Sequence, residues 1–188
     1  MMADGENLFR GRLVRLAAPQ PDDAEIMARW TESSVYLRLV DTDYARPKPA
    51  QAFAESEDDS HAHGNAVAFR LRTIDGDRLV GFLALHDIEW NNQVAELSIG
   101  IGDPADWDKG YGTEALQLGL RYAFDELNLY RIGLNSIAYN ARAIHAYEKA
   151  GFLREGVSRG FVLRDGQRHD LLWMGILRDE WETIRKAQ

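Results

Sequence analysis

Two glycines one residue apart, Gly110 and Gly112, stand between Lys109 and an amphipathic run that continues through Thr113 and Glu114. Glycine lets the backbone approach a bulky anion, because no Cβ is in the way. The first turn of a helix adds unpartnered N–H groups and partial positive charge. Together these make a phosphate site, with Lys109 as a point charge beside it. On its own the segment also fits a plain glycine-containing turn before a helix. Further on, Asn140 suits a helix N-cap, and Tyr147 lies seven residues later. That spacing is about two turns and ~10 Å, nearly on one face. A ligand along this face would meet an amide at one end and a phenol at the other. A capped amphipathic helix with a half-buried tyrosine gives the same pattern.

Composition limits what such a site belongs to. The 188 residues fit one domain, residues 1–188, with an ordinary apolar share of 45%. A net charge of −8 argues against non-specific nucleic-acid binding and is compatible with a cationic substrate. With no cysteine, disulfides, thiolate nucleophiles and cysteine-based zinc sites are excluded. The first ten residues carry Asp4 and Glu6 and no apolar run, so no signal peptide is read there. No stretch has the ~20 apolar residues of a membrane helix, and the expectation is a cytoplasmic protein acting away from membranes.

The elements that must hold these residues follow from punctuation and period. Residues 13–16 read as a first strand, stopped by Pro19 and Pro21. Asp22 or Asp23 caps a helix through Ile26, Met27 and Trp30. The stretch to Gly64 is broken by Pro47 and Pro49, with a modest helix over 50–57 and a solvated acidic run over 55–59. Val67, Phe69 and Leu71 alternate as a strand into the Asp75–Gly76 turn, and Leu79–His86 returns as a strand buried on both faces. Val94–Ile101 follows the Asn91–Asn92 turn, with Leu97, Ile99 and Ile101 on one face and Glu96, Ser98 and Gly100 on the other. A helix from Gly112 has apolar positions to Leu127, a strand covers 131–139, and a short helix covers Ala141–Ala150 before Gly151. Two strands near 152–163 and 171–177 and a polar helix over 179–186 close the chain. Meander strands pair antiparallel, and the strand–helix–strand unit from Val94 to Tyr139 pairs parallel. The fold class is α/β, a mixed α+β sheet.

Three segments in this order resemble the GNAT superfamily of acyl-CoA-dependent N-acetyltransferases: Glu-x-x-Ile-Gly-Ile (96–101), Lys-Gly-Tyr-Gly-Thr-Glu-Ala (109–115) and Asn-x-x-Ala-Ile-x-x-Tyr-Glu-Lys-x-Gly-Phe (140–152). The resemblance covers about residues 79–177. Within the superfamily it is similar to the branch of ribosomal-protein N-terminal and spermidine/spermine acetyltransferases, and the tail from Arg168 to Leu177 resembles that group as well. The resemblance implies a mostly antiparallel central sheet with one splayed parallel pair and helices on both faces. It implies that Lys109, Gly110, Tyr111, Gly112 and Thr113 bind the pyrophosphate of acetyl-CoA, the co-substrate. The pantetheine arm would pair with the strand edge at Ile99, Gly100 and Ile101, where one N–H would polarise the thioester carbonyl. Asn140 would contact that arm, and Tyr147 would protonate the leaving thiolate. The superfamily pattern commonly has Arg or Gln three residues before its first glycine. This chain has Trp107, so a side-chain phosphate contact is missing there and Lys109 is expected to compensate.

The acceptor amine must lose a proton before it attacks. Glu96 is the expected base by position, and Ser98, on the same face, could hold a water. No Ser–His pairing is evident in the sequence, so direct attack without a covalent acyl-enzyme is expected. The acceptor is a primary amine: a small amine or polyamine, a protein N-terminus or an amino sugar. No metal is expected. His61 and His63 read as loop residues, His86 as a core or rim histidine with the acceptor pocket as the alternative, His145 as exposed and His169 as structural. Asp41, Asp43, Asp87 and Glu89 read as surface, with the lining of an acceptor cleft for a cation as the alternative. Trp30, Tyr36 and Tyr44 fit core or pocket equally. A homodimer through the last strands is a further expectation. Gly100-x-Gly102-x-x-Ala105 and Gly110-x-Gly112-x-x-Ala115 satisfy a relaxed dinucleotide fingerprint, but neither joins a strand directly to a helix, and no acid ends the next strand. A non-catalytic acyl-CoA sensor on the same fold is the competing class.

Overall fold

The computed structural model describes residues 7–53 and 64–187. The histidines at 61 and 63, the acidic run over 55–59 and the end of the helix expected over 50–57 lie outside them. Seven strands form one sheet in the order β1-β2-β3-β4-β5-β7-β6. They are β1 (Val14–Ala17), β2 (Val67–Thr73), β3 (Leu79–Glu89), β4 (Val94–Ile101), β5 (Arg131–Ile137), β6 (Leu153–Arg164) and β7 (Gln167–Leu177). Neighbours pair antiparallel except β4 and β5, which run parallel as expected. That parallel pairing is short: Val94 with Arg131, Ala95 with Ile132 and Glu96 with Gly133. Beyond Glu96 the two strands part. β4 runs on to Ile101 against β3, while β5 runs on to Ile137 against β7.

Helices cover both faces. On one, α3 (Tyr111–Arg121), α4 (Ala141–Ala150) and α5 (Arg178–Ala187) enclose a core of Leu83, Leu116, Phe124, Ile132, Ile144 and Phe152. On the other, α1 (Asp23–Trp30) and α2 (Ser34–Val40) bury Met27, Trp30, Tyr36 and Leu37 against Leu79 and Phe82. Helix α2 was not expected. Its sequence, SVYLRLV, is short and rich in β-branched and apolar residues, which favours a strand locally. The Ser33 hydroxyl turns it helical by accepting from Tyr36 N–H, and Tyr36 and Leu37 then bury its inner side. Helix α3 continues through a π turn over Tyr122–Glu126, so the apolar period runs to Leu127 although the α geometry does not. No helix among the described residues is long and apolar enough to cross a membrane.

The buried charge Asp23 belongs to the frame. Its carboxylate accepts from Gln20 N–H at 2.8 Å, pairs with Arg72, and lies 3.8 Å from Arg70. It therefore anchors α1 to β2 and does not cap the helix as expected: the N-cap residue is Asp22, and its side chain makes no capping bond. A second frame carboxylate is Glu114 in the first turn of α3. It accepts from Arg12, Leu13 and Val14 N–H at 2.7–2.8 Å. These bonds satisfy three donors at the outer edge strand and fix the start of α3 against the sheet.

Candidate active site

A cleft of about 870 Å³ opens where β4 and β5 diverge. That is within the size range of small-molecule sites. The free edge of β4, the first turn of α3 and the inner side of α4 all line it, with α2 and the 41–42 segment opposite.

The phosphate turn begins at Asp106, which is 4% exposed and accepts from Arg78 at 2.5 and 2.8 Å and from Lys109 Nζ at 3.0 Å. The hydrogen bonds from Arg78 hold its carboxyl below the usual carboxylate range. The Lys109 ammonium is thus partly spent on the turn itself. Asp108 and Gly110 both take positive φ, +60° and +85°. Gly110 is the N-cap residue of α3, so the helix begins at Tyr111, one residue earlier than expected, and no side chain caps it. A Cβ on Gly112 would meet only Ile101, at 3.7 Å, so the glycine leaves room on the cleft side rather than relieving a clash. A basic side chain reaches Trp107 from elsewhere. Arg142, in the first turn of α4, stacks its guanidinium 3.7 Å from the ring centroid of Trp107 and lines the cleft. The indole of Trp107 in turn donates to Ile101 C=O at 2.9 Å. The sequence shows Arg142 two residues past an N-cap, but nothing in it shows that a tryptophan 35 positions earlier lies beneath it.

Asn140 caps α4 as expected: its Oδ1 accepts from Ala143 N–H at 3.3 Å. Its Nδ2 donates to Leu39 C=O at 3.3 Å, tying α4 to α2. The neighbouring Tyr139 hydroxyl donates to Arg38 C=O, and Arg164 on β6 donates to the carbonyls of Asp41, Thr42 and Asp43. Tyr147 is 9% exposed, lines the cleft and packs edge-on against Phe152 with ring centroids 6.0 Å apart. Burial pushes its phenol up to about 12, so it keeps its proton throughout the neutral range.

Glu96 sits at the fork of β4 and β5. Gly133 stands directly beside it, and a Cβ there would collide with the Glu96 carboxylate. Burial raises the Glu96 carboxyl, while the charges of His86 and Arg131 pull it back down. Ile99, Gly100 and Ile101 line the cleft beyond it, as expected for the open edge. Gly100 sits under Phe82 and Val40, on the same side of β4 as Glu96 and Ser98.

Two expectations need correction. His86 follows the alternative reading and faces the cleft rather than the core, and a Ser–His pairing does exist. His86 Nε2 lies 2.9 Å from Ser98 Oγ and its Nδ1 lies 2.8 Å from Asp87 Oδ2, all three residues lining the cleft. Asp41 also lines the cleft, 4.0 Å from Lys48 Nζ, whereas Asp43 and Glu89 do not. Trp30 is core, Tyr36 is buried and also lines the cleft, and Tyr44 is exposed. His145 is exposed, and His169 stacks edge-on against Tyr139.

A cleft with an open strand edge and an uncapped helix start on one side, and carboxylates on the other, suits a long anionic carrier and a second, cationic molecule. The class is a group-transfer enzyme. The chain belongs to the GNAT acetyltransferase family: residues 13–153 match the family model described as Acetyltransferase (GNAT) domain. It is an acetyl-CoA-dependent N-acetyltransferase. A spermidine N(1)-acetyltransferase of Vibrio cholerae is 32% identical over 139 residues, 71% of this chain and 78% of that one. YdaF of Bacillus subtilis, provisionally named a ribosomal N-acetyltransferase, is 34% identical over 104 residues, 55% of this chain and 56% of that one. Among solved structures, the spermidine N-acetyltransferase of Vibrio cholerae in complex with CoA and spermine superposes with a TM-score of 0.81 at 24% identity, over 92% of this chain and 99% of that one. That likeness shows the shared fold.

Proposed function

We propose that the enzyme acetylates the primary amine of a cationic acceptor, a small amine or polyamine or a protein N-terminus, by direct attack on acetyl-CoA. The observation that carries this reading is the convergence of the β4 edge, the uncapped start of α3 and the Tyr147 phenol on one cleft. The N–H groups of Tyr111, Gly112 and Thr113 take the pyrophosphate, with Lys109 and Arg142 adding charge. The pantetheine arm lies along Ile99–Ile101 beside Asn140. An N–H of that edge receives the developing oxyanion. Glu96 meets the acceptor as a carboxylate hydrogen-bonded to its ammonium, its catalytic role at the fork of the strands. Once neutral, the nitrogen forms a bond to the acetyl carbon and the carbon–sulfur bond breaks. The sulfur takes its proton from Tyr147, and the second nitrogen proton restores the Tyr147 phenol.

Asp41, Asp87 and Glu96 support a cationic acceptor. The relatives named for spermidine support the polyamine arm of the reading. Exposed apolar side chains on β6 (Leu153, Val157, Phe161 and Leu163) support pairing with a second copy through the last two strands. CoA release, read by free-thiol detection across polyamines, peptide N-termini and amino sugars, tests the activity. Polyamines are expected to give the highest kcat/KM. Release no faster than hydrolysis with every amine would overturn the reading. Sedimentation of the wild type against Phe161→Glu tests the homodimer.

A further inference from the structure

We infer that the acceptor's proton leaves through a relay from Ser98 to His86, oriented by Asp87, with His86 as the base. The inference rests on the acetyltransferase reading above and assigns its deprotonation step.

The relay is built by a defect in the sheet. His86 pairs with Glu96 and Ala84 with Ser98, so His86 and Ser98 are diagonal neighbours on adjacent strands with side chains on one face. In a regular strand Asp87 would point to the opposite face from His86. Instead β3 carries an extra residue between His86 and Glu89 relative to β4, and Asp87 adopts φ +50°. The bulge turns the Asp87 carboxylate back onto the imidazole of the residue before it, at 2.8 Å. A non-glycine residue rarely takes that conformation, and such strain clusters at working sites. The Asp87 side chain is 75% exposed, so the ion pair itself contributes little to stability.

The chemistry fixes the direction of transfer. A carboxylate only accepts, so in the neutral imidazole the Nδ1 hydrogen faces Asp87 and the Nε2 lone pair faces Ser98. Ser98 Oγ then donates to Nε2 and turns its own lone pairs to the cleft. As the acceptor ammonium gives a proton to Ser98 Oγ, the hydroxyl proton passes to Nε2. The amine becomes neutral, the hydroxyl is regenerated and the imidazole becomes imidazolium beside Asp87. Glu96 holds the ammonium by charge while this occurs. The imidazolium loses its proton to solvent at the exposed end of the chain, so nothing accumulates over a turnover. The same three residues could instead carry an acetyl-serine, which the test distinguishes.

The charged groups facing His86 among the described residues include Asp87 on its own strand, Glu96 on β4 with Arg131 and Glu155 near it, and Asp41 with its partner Lys48 across the cleft. The test compares pH profiles of the wild type, His86→Gln, Ser98→Ala, Asp87→Asn and Glu96→Gln, with acetyl-CoA affinity by calorimetry. His86→Gln is expected to lower kcat on the order of 10²-fold at neutral pH with acetyl-CoA affinity unchanged. The acid limb of kcat/KM that an imidazole base produces should vanish in the same variant. Ser98→Ala should lower kcat on the order of tenfold, a water replacing the hydroxyl. Asp87→Asn should displace the limb, and Glu96→Gln should raise the KM for the amine while keeping it. A limb retained in His86→Gln and lost in Glu96→Gln would overturn the relay in favour of Glu96 as base. Acetylated Ser98 found by mass spectrometry would overturn it in favour of a covalent route. Failure of the wild type to release CoA with any amine would instead remove the acetyltransferase reading itself.

Discussion

Two helices start at the same cleft and finish their first turns in opposite ways. Helix α4 is closed by its own sequence: Asn140 accepts from Ala143 N–H, and its other side-chain atom is committed to Leu39. Helix α3 starts on Gly110, which has no side chain to offer, and its first turn meets the open part of the cleft. A capped start is a structural element and spends its donors on the fold. An uncapped start just after two left-handed residues keeps donors and partial positive charge for a ligand. Substitutions at α3 should therefore move carrier affinity, and substitutions along α4 should move turnover or stability.

The largest expected effect sharpens the α4 side. Tyr147→Phe keeps the ring against Phe152 and removes the acid, so kcat should fall about 10²-fold or more with acetyl-CoA affinity unchanged in calorimetry. Equal losses in affinity and turnover would break the division. On the α3 side, Gly112→Ala meets no clash in the protein and should leave the melting temperature near wild type. Its methyl stands where the pyrophosphate approaches, and KM for acetyl-CoA should rise on the order of tenfold with kcat retained. Arg142→Ala crosses the boundary, being a residue of α4 that serves α3. A rise of about three- to tenfold in the same KM, shrinking as salt is raised, would place its guanidinium at the phosphates.

The smaller effects concern stability. Asn140→Ala should cost about 1 kcal/mol, roughly 2–4 °C in melting temperature, from loss of the cap. Glu96→Gln works in the other direction. A carboxyl raised by burial ionises less readily in the folded state, so its ionisation weakens folding. That penalty is absent below the unfolded pKa and fully present above the raised folded one. Melting curves of Glu96→Gln and wild type should coincide near pH 4 and separate at pH 8, with the variant the more stable.

What could be read from the sequence follows the range of the forces involved. Helix α4 was legible to the residue, because Asn140, the apolar period and Gly151 at φ +105° are all local signals. The parallel β4–β5 pair was legible from connection handedness, and the turn that starts α3 from its glycines. Helix α2 was not, since seven residues give too few periods and Ser33 alone marks its start. Lys109 was given too much because its partner Asp106 is three residues away in a turn whose geometry the sequence does not display. Arg142 and the Ser98–His86–Asp87 chain were missed for a related reason. Each depends on a long-range contact or on one extra residue in a strand, and alternation counted along β3 sends Asp87 to the wrong face.

The stapling of the acceptor wall has a consequence for how this enzyme could change its taste. Tyr139, Asn140 and Arg164 hold the segment from Arg38 to Asp43 entirely through main-chain carbonyls. Any amino acid presents the same carbonyl, so these bonds survive exchange of the side chains, although Arg38 and Asp41 also hold Asp165 and Lys48, and Val40 packs into the core. Selectivity for the incoming amine can drift by ordinary substitution while the transfer machinery on the far side stays in register.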